Sequence, residues 1–135
     1  MFRKSLILLV LVGACKMKEQ ANTTAPLSFK ALRIAETGGF TGGLAPVTFK
    51  VDGLVYDSRQ EQTDSLSSEQ LAVLMKEAQR VAEFSGYQGG TGNLQREIWL
   101  MRSADTLYYR WPIEDTTKTA KTLNVSFGRL YRLLP

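Results

Sequence analysis

Histidine is missing from this chain altogether, and one cysteine occurs among its 135 residues. The first absence removes Ser-His and Cys-His nucleophilic dyads, imidazole general bases and most zinc sites, all of which need a ring nitrogen that is free near neutral pH. The second excludes a disulfide within the chain, even in a compartment that would permit one. A dominant charge is also lacking: 17 Lys and Arg stand against 13 Asp and Glu, scattered rather than clustered. That balance supports no nucleic-acid partner. There are no internal repeats, and no apolar run reaches the about 20 residues that a permanent membrane-spanning helix needs.

What is present begins at the amino end. Met1-Phe2-Arg3-Lys4 places two cations before an unbroken apolar run from Leu6 to Val12, the charged n-region and short h-region of a cleaved export signal. Val12-Gly13-Ala14-Cys15 follows. It resembles the lipobox of bacterial lipoproteins, in which small residues admit the lipoprotein signal peptidase just before a cysteine whose thiol carries diacylglycerol. A plain secretory signal with an incidental cysteine is the alternative. The resemblance implies that residues 1–14 are a signal peptide, that Cys15 becomes a lipidated amino terminus, and that its acyl chains, palmitate among them, hold the protein to a lipid bilayer. Two or three chains anchor stably where one does not. The implied location is the bacterial cell envelope. Lys16, where an aspartate would bear on sorting, is compatible with the outer membrane and a domain facing the periplasm.

Residues 15–27 are polar and small, with Lys18, Glu19, Gln20, Asn22, Thr23, Thr24 and Pro26, and this composition predicts a flexible tether. Without residues 1–14 the chain keeps 15 cations against 13 anions, so its basic character is partly that of the signal. Residues 28–135 have the length of a single domain. Alternation predicts a strand over Phe29–Glu36, with Leu32 and Ile34 on one face and Lys30 at a bulge or the strand's start. Thr37-Gly38-Gly39-Phe40-Thr41-Gly42-Gly43 must be a turn or open loop. Val47–Val51 alternates again, and Asp52-Gly53 signals a two-residue hairpin leading to Leu54-Val55-Tyr56.

A polar stretch from Asp57 to Leu66 leads to the clearest helix. Ser67 caps it with Gln70 completing a capping box, and its apolar stripe is Leu71, Leu74, Met75, Ala78, Val81 and Ala82, with Glu77 off the stripe. Phe84 closes it, and the glycine-rich segment Ser85–Asn93 reads as a flexible loop. Glu97–Arg102 and Leu107–Trp111 form a strand pair in which Leu107, Tyr109 and Trp111 share a face, and Pro112 ends it. Asp115 or Thr116 caps a last helix with the stripe Ala120, Leu123, Phe127, Leu130 and Leu134. The predicted fold class is α+β: an antiparallel sheet of about four to five strands with two helices packed on one face.

Without histidine, carboxylate-only chemistry remains open, as in glycosidases that use two acids. The candidates are Asp52, Asp57, Asp64, Glu97, Asp105, Glu114 and Asp115, and most of them fall in turns or on exposed strand faces, where solvated charges are the expected reading. Asp57, Glu61 and Asp64 form an acidic group without a calcium-loop pattern, and the glycine segment lacks the ending of a phosphate loop. The expectation is therefore a binding protein and not an enzyme, with no catalytic residue, cofactor or metal. Its candidate contact is Phe40 among glycines, an aromatic that either reaches outward to fill a partner's pocket or folds back onto the core.

The stretch Leu32-Arg33-Ile34-Ala35-Glu36-Thr37-Gly38-Gly39-Phe40-Thr41-Gly42 resembles the opening of emfourin-type proteins, inhibitors of thermolysin-like metallopeptidases. The order of elements over residues 30–134 matches that family, whereas the lipobox, the tether and the polar segment around Asp57–Leu66 depart from it. The resemblance implies inhibition by occlusion of a secreted or periplasmic metallopeptidase, with Phe40 in the enzyme's apolar pocket. Glu36, Thr37, Gly38, Gly39, Thr41, Gly42 and Gly43 would surround it, and the Glu36 carboxylate would approach the enzyme's zinc. Two other readings stay open. One is an envelope interaction module using a strand edge or the Trp99 face; the other is a glycan-binding lipoprotein stacking sugars on Trp99, Tyr108, Tyr109 and Trp111. Expressed in a Gram-negative host, the chain should incorporate labelled palmitate, and Cys15→Ser should abolish the label. Label persisting in that variant would refute the lipobox.

Overall fold

The computed structural model describes residues 28–40, 42–59 and 62–135; the expected signal peptide, Cys15, the tether, Thr41 and Glu61 lie outside them. Strand β1 (Phe29–Gly38) is central. On one side it pairs with β2 (Val47–Lys50), followed outward by β3 (Leu54–Asp57) and β4 (Gln62–Ser65). On the other it pairs with β6 (Leu94–Arg102), then β7 (Thr106–Pro112) and the two-residue β5 (Tyr87–Gln88). Helix α1 (Ser68–Ala82) links β4 to β5, and α2 (Lys118–Tyr131) follows β7.

Alternation in β1 sends Leu32 and Ile34 into the core, where both are fully buried. Leu32 lies between Phe49 and Leu100, and Ile34 between Val47 and Ile98, so branched and aromatic side chains of three strands meet across the ladder. The expected irregularity at Lys30 falls where the β1–β6 register shifts, between Phe29 and Ala31. One core cluster unites these residues with Leu74, Ala78 and Val81 of α1 and Ala120, Leu123, Phe127 and Leu130 of α2. Among the described residues its members run from Phe29 to Leu133.

The domain is α+β, but its sheet has seven strands instead of four or five, and it is mixed. Both additional strands come from segments read as connections. Gln62-Thr63-Asp64-Ser65 carries no apolar alternation because it is an edge strand, held by backbone pairing to β3 alone. Tyr87-Gln88 sits among glycines and pairs parallel with Tyr109 and Arg110 of β7, a long-range contact with no local signature. The β2–β3 connection has three residues, since Val51 leaves the strand and Gly53, at φ +91°, donates its N–H to the Lys50 carbonyl at 2.9 Å. Such a loop needs a left-handed residue at its end, which glycine supplies.

The capping box at α1 is present as expected, with Ser67 accepting from Gln70 N and Gln70 accepting from Ser67 N. The helix ends at Ala82 with Glu83 as its cap, one residue before Phe84. Thr117, not Asp115 or Thr116, caps α2; the Asp115 carboxylate instead accepts from Thr117 N at 2.9 Å and Tyr87 Oη at 2.8 Å. Beyond α2, Leu133 is buried and Leu134 only partly so. Met75 is exposed, whereas Glu77 is buried. Arg80 of the same helix and Arg129 of α2 reach the Glu77 carboxylate at 3.2 and 3.0 Å, which offsets the cost of removing it from water.

Tyr109 ties β7 to the end of α1. Its hydroxyl donates to the carbonyls of Val81, at 2.9 Å, and Phe84. Carbonyls at a helix end lack some of their intrahelical partners, and the single proton of this phenol is shared between two of them. Burial pushes the Tyr109 hydroxyl up to about 12. The unfolded phenol ionises near pH 10, so the stabilisation is complete below that value and is lost as pH rises through the folded one. Denaturant unfolding should therefore show stability falling between about pH 10 and 12. Tyr109→Phe should be less stable by about 1–2 kcal/mol at pH 7 yet show a shallower alkaline decline, and an unchanged decline would contradict this assignment.

Candidate binding site

Loop 39–46 leaves the end of β1, and its base is closed by the Glu36 amide donating to the Leu44 carbonyl at 3.0 Å. Backbone packs tightly there. At Gly38, with φ +92°, a Cβ would meet the Asn93 carbonyl oxygen within 2.2 Å, and at Gly43, with φ +66°, it would meet that of Glu36 within 2.4 Å. Only glycine satisfies both the left-handed backbone and the missing space. From this pinched base Phe40 projects with its ring fully exposed, and it borders a surface depression with Gly39 and Asn93. It is the most exposed large hydrophobic side chain among the described residues.

Glu36 does not accompany Phe40 outward. Its carboxylate receives Arg96 Nε at 2.9 Å, and Arg96 in turn donates to Asn124 Oδ1 at 2.9 Å and lies 4.8 Å from the Phe127 ring. Trp111 Nε1 shares the same Asn124 oxygen at 2.8 Å. The base of the loop is thus linked to α2 through an ion pair that is largely shielded from solvent. Beside it, Glu36, Gly43, Leu44, Arg59, Arg96 and Tyr131 border a cleft of about 240 Å³. Thr37 is exposed, and its hydroxyl points to Glu97 Oε1 at 3.5 Å. Of the expected contact residues the structure therefore brings Gly39, Phe40, Gly42 and Gly43 to the loop surface, keeps Thr37 and Gly38 as the last residues of β1, holds Glu36 beneath the loop, and does not describe Thr41.

The aromatics divided between glycan stacking and the core also separate. Tyr109 and Trp111 are fully buried. Trp99 and Tyr108 lie on the opposite face of the sheet, 5.2 Å apart, and the Arg33 guanidinium sits 5.1 Å from the Trp99 ring. Register extends this into a row across six strands: Thr63, Tyr56, Thr48, Arg33, Trp99 and Tyr108. Tyr56 is exposed, and Arg33 Nε is buried without an acceptor among the described residues. Strand alternation put Arg33 opposite Leu32, but no local signal linked it to Tyr56, because pairing brings them into one row.

Four of the candidate carboxylates have structural partners. Asp57 accepts from the Arg59 amide and pairs with its guanidinium, which hold its carboxyl below the usual range. Asp115 is held low by the Thr117 amide and Tyr87. Asp105 is held low by Arg102. Glu97 is buried among Tyr108, Arg110 and Thr37. No group of three or more acidic or cysteine side chains suited to a metal occurs among the described residues, and no helix among them is long and apolar enough to cross a membrane. Compared with known proteins, the chain matches no family model, and no curated protein matches it significantly.

Replacing Gly43 by Ala should destabilise the domain by at least about 1–3 kcal/mol, from left-handed strain and from contact with the Glu36 carbonyl. Gly42, where a Cβ meets nothing within 4 Å, should tolerate Ala with the strain alone. Equal thermal midpoints for the two variants would count against a pinched base.

Proposed function

We propose that the chain is a membrane-tethered bacterial lipoprotein, held by an acylated Cys15, whose domain binds another protein through the Phe40 loop and performs no chemistry. The observation that carries this reading is the exposure of Phe40. Leaving a large ring in water forgoes about 2 kcal/mol of burial. Nothing within the domain compensates for the exposure, whereas insertion into a partner's apolar pocket would.

The partner class that best fits is a thermolysin-like metallopeptidase in the periplasm or outside the cell, whose specificity pocket takes bulky apolar side chains. Phe40 would occupy that pocket, and the glycines would let the loop backbone lie close to the cleft. Glu36, already paired with Arg96, would brace the loop from below, without reaching the zinc. Emfourin-type resemblance and loop geometry support occlusion together. In this reading both helices cover one face of the sheet, and the tether leaves the loop free to reach an enzyme near the membrane.

The Arg33–Trp99–Tyr108 row supports a second reading, an envelope interaction module that binds its partner on the open sheet face. Substitutions separate the two. Residues 28–135 at micromolar concentration should slow a thermolysin-like peptidase, and Phe40→Ala should weaken that inhibition about 30-fold, the effect of losing ~2 kcal/mol at an interface anchor. Trp99→Ala should leave it unchanged. Undiminished peptidase rate, or inhibition indifferent to Phe40, would reject the first reading.

A further inference from the structure

Helix α2 contains no acidic residue. Its buried stripe is Ala120, Leu123, Phe127 and Leu130. On the opposite side, at spacings of three and four, stand Lys118, Lys121, Val125, Arg129 and, at the helix cap, Arg132. Those spacings place all five on one outer stripe. Arg80 of α1 joins it, and with Lys118, Lys121, Thr122, Val125 and Arg129 it borders a shallow hollow of about 450 Å³ between the helices.

The charge on this face departs from that of the domain around it. Residues 28–135 hold 13 Lys and Arg against 12 Asp and Glu, a formal charge of +1. Five of those cations, Arg80, Lys118, Lys121, Arg129 and Arg132, are gathered here over a single buried carboxylate, Glu77, so the face carries +4 and the rest of the domain −3. Lys118, Lys121 and Arg132 have no ion-pair partner among the described residues. Asp115, close in sequence to Lys118, is turned to Tyr87 and Thr117 and does not border the hollow. Lys118 and Lys121 also stand in the first turn of α2, where the positive end of the helix dipole disfavours cations. Stability gains nothing from their position, and an external anion would.

We propose that this basic stripe of α2, with Arg80, is a docking face for the phosphate headgroups of an anionic lipid bilayer. The surface is open and flanked by helices, and half-exposed Val125 at its centre offers an apolar contact between the cations. Those features suit a plane of headgroups. An extended acidic peptide would be better served by an unpaired strand edge. Fields of this size act over about 10 Å at moderate ionic strength, and each Lys or Arg near such a surface strengthens binding about fivefold. The inference takes its setting from the lipid-anchored reading, because a domain on a short tether samples the membrane at high local concentration. Docked by this face, the domain would turn other surfaces away from the bilayer.

The test uses residues 28–135, which lack Cys15, so that its outcome is independent of acylation. Cosedimentation with vesicles of phosphatidylcholine containing about a third phosphatidylglycerol should exceed that with pure phosphatidylcholine and decline as salt is raised. Lys118→Gln with Lys121→Gln should lower the partition coefficient about 30-fold. The thermal midpoint should not fall, since both side chains are exposed. Equal binding to neutral vesicles, or undiminished binding by the double variant, would overturn the proposal. Binding to polyglutamate as tight as to the anionic vesicles would assign the face to an acidic protein and overturn it as well. Palmitate labelling lost with vesicle binding retained would defeat the anchored reading alone.

Discussion

Strand β7 carries the two side chains through which the sheet positions both helices. Tyr109 donates to carbonyls at the end of α1, and Trp111 donates to Asn124 of α2 while meeting the Phe127 ring edge-on, 6.2 Å between centroids. Each is an aromatic with a polar tip, buried so that the ring excludes water while the tip keeps a hydrogen-bond partner. Asn124 also receives Arg96, and Arg96 holds Glu36 at the root of the glycine loop. The shape of the loop thus depends on a polar chain that starts within the hydrophobic core. A buried network of this kind is strong because every member has its partner, and it specifies one arrangement for the same reason.

The two faces of the sheet follow different rules. One holds the aliphatic core, Leu32, Ile34, Ile98 and Leu100 among it. The other carries the cross-strand row through Arg33, Trp99 and Tyr108, in which aromatic faces and a guanidinium stack without full burial. Ala31 and Ala35 are buried on this second face, opposite Met101 and Glu97 of β6. Such a face is ordered yet accessible, which distinguishes it from both a core and a solvated surface.

The electrostatics are organised in the same layered way. Most carboxylates are tied to a nearby arginine or a turn amide, and this keeps their charges local. The exception is the outer side of α2, where cations are concentrated and the one acidic partner is Glu77, beneath them. The net charge of residues 28–135 conceals that arrangement, since the remainder of the domain is acidic and nearly balances it.

Local pattern determined much of this protein. The 3.6-residue stripe and the Ser67–Gln70 box specified α1; period-two alternation specified β1, β2, β6 and β7; the four glycines around Phe40 specified a loop. These are effects of neighbouring residues, and a sequence displays them directly. Tertiary structure decided what depends on partners distant along the chain. Polar Gln62–Ser65 becomes a strand because β3 offers an edge, and Tyr87-Gln88 because β7 does. Glu77 is buried where Arg129 arrives from another helix, and Glu36 is held inward by Arg96 from a distant strand. Backbone pairing and buried charge both draw their stability from contacts made only when the chain has closed on itself, so no window of sequence could have contained them.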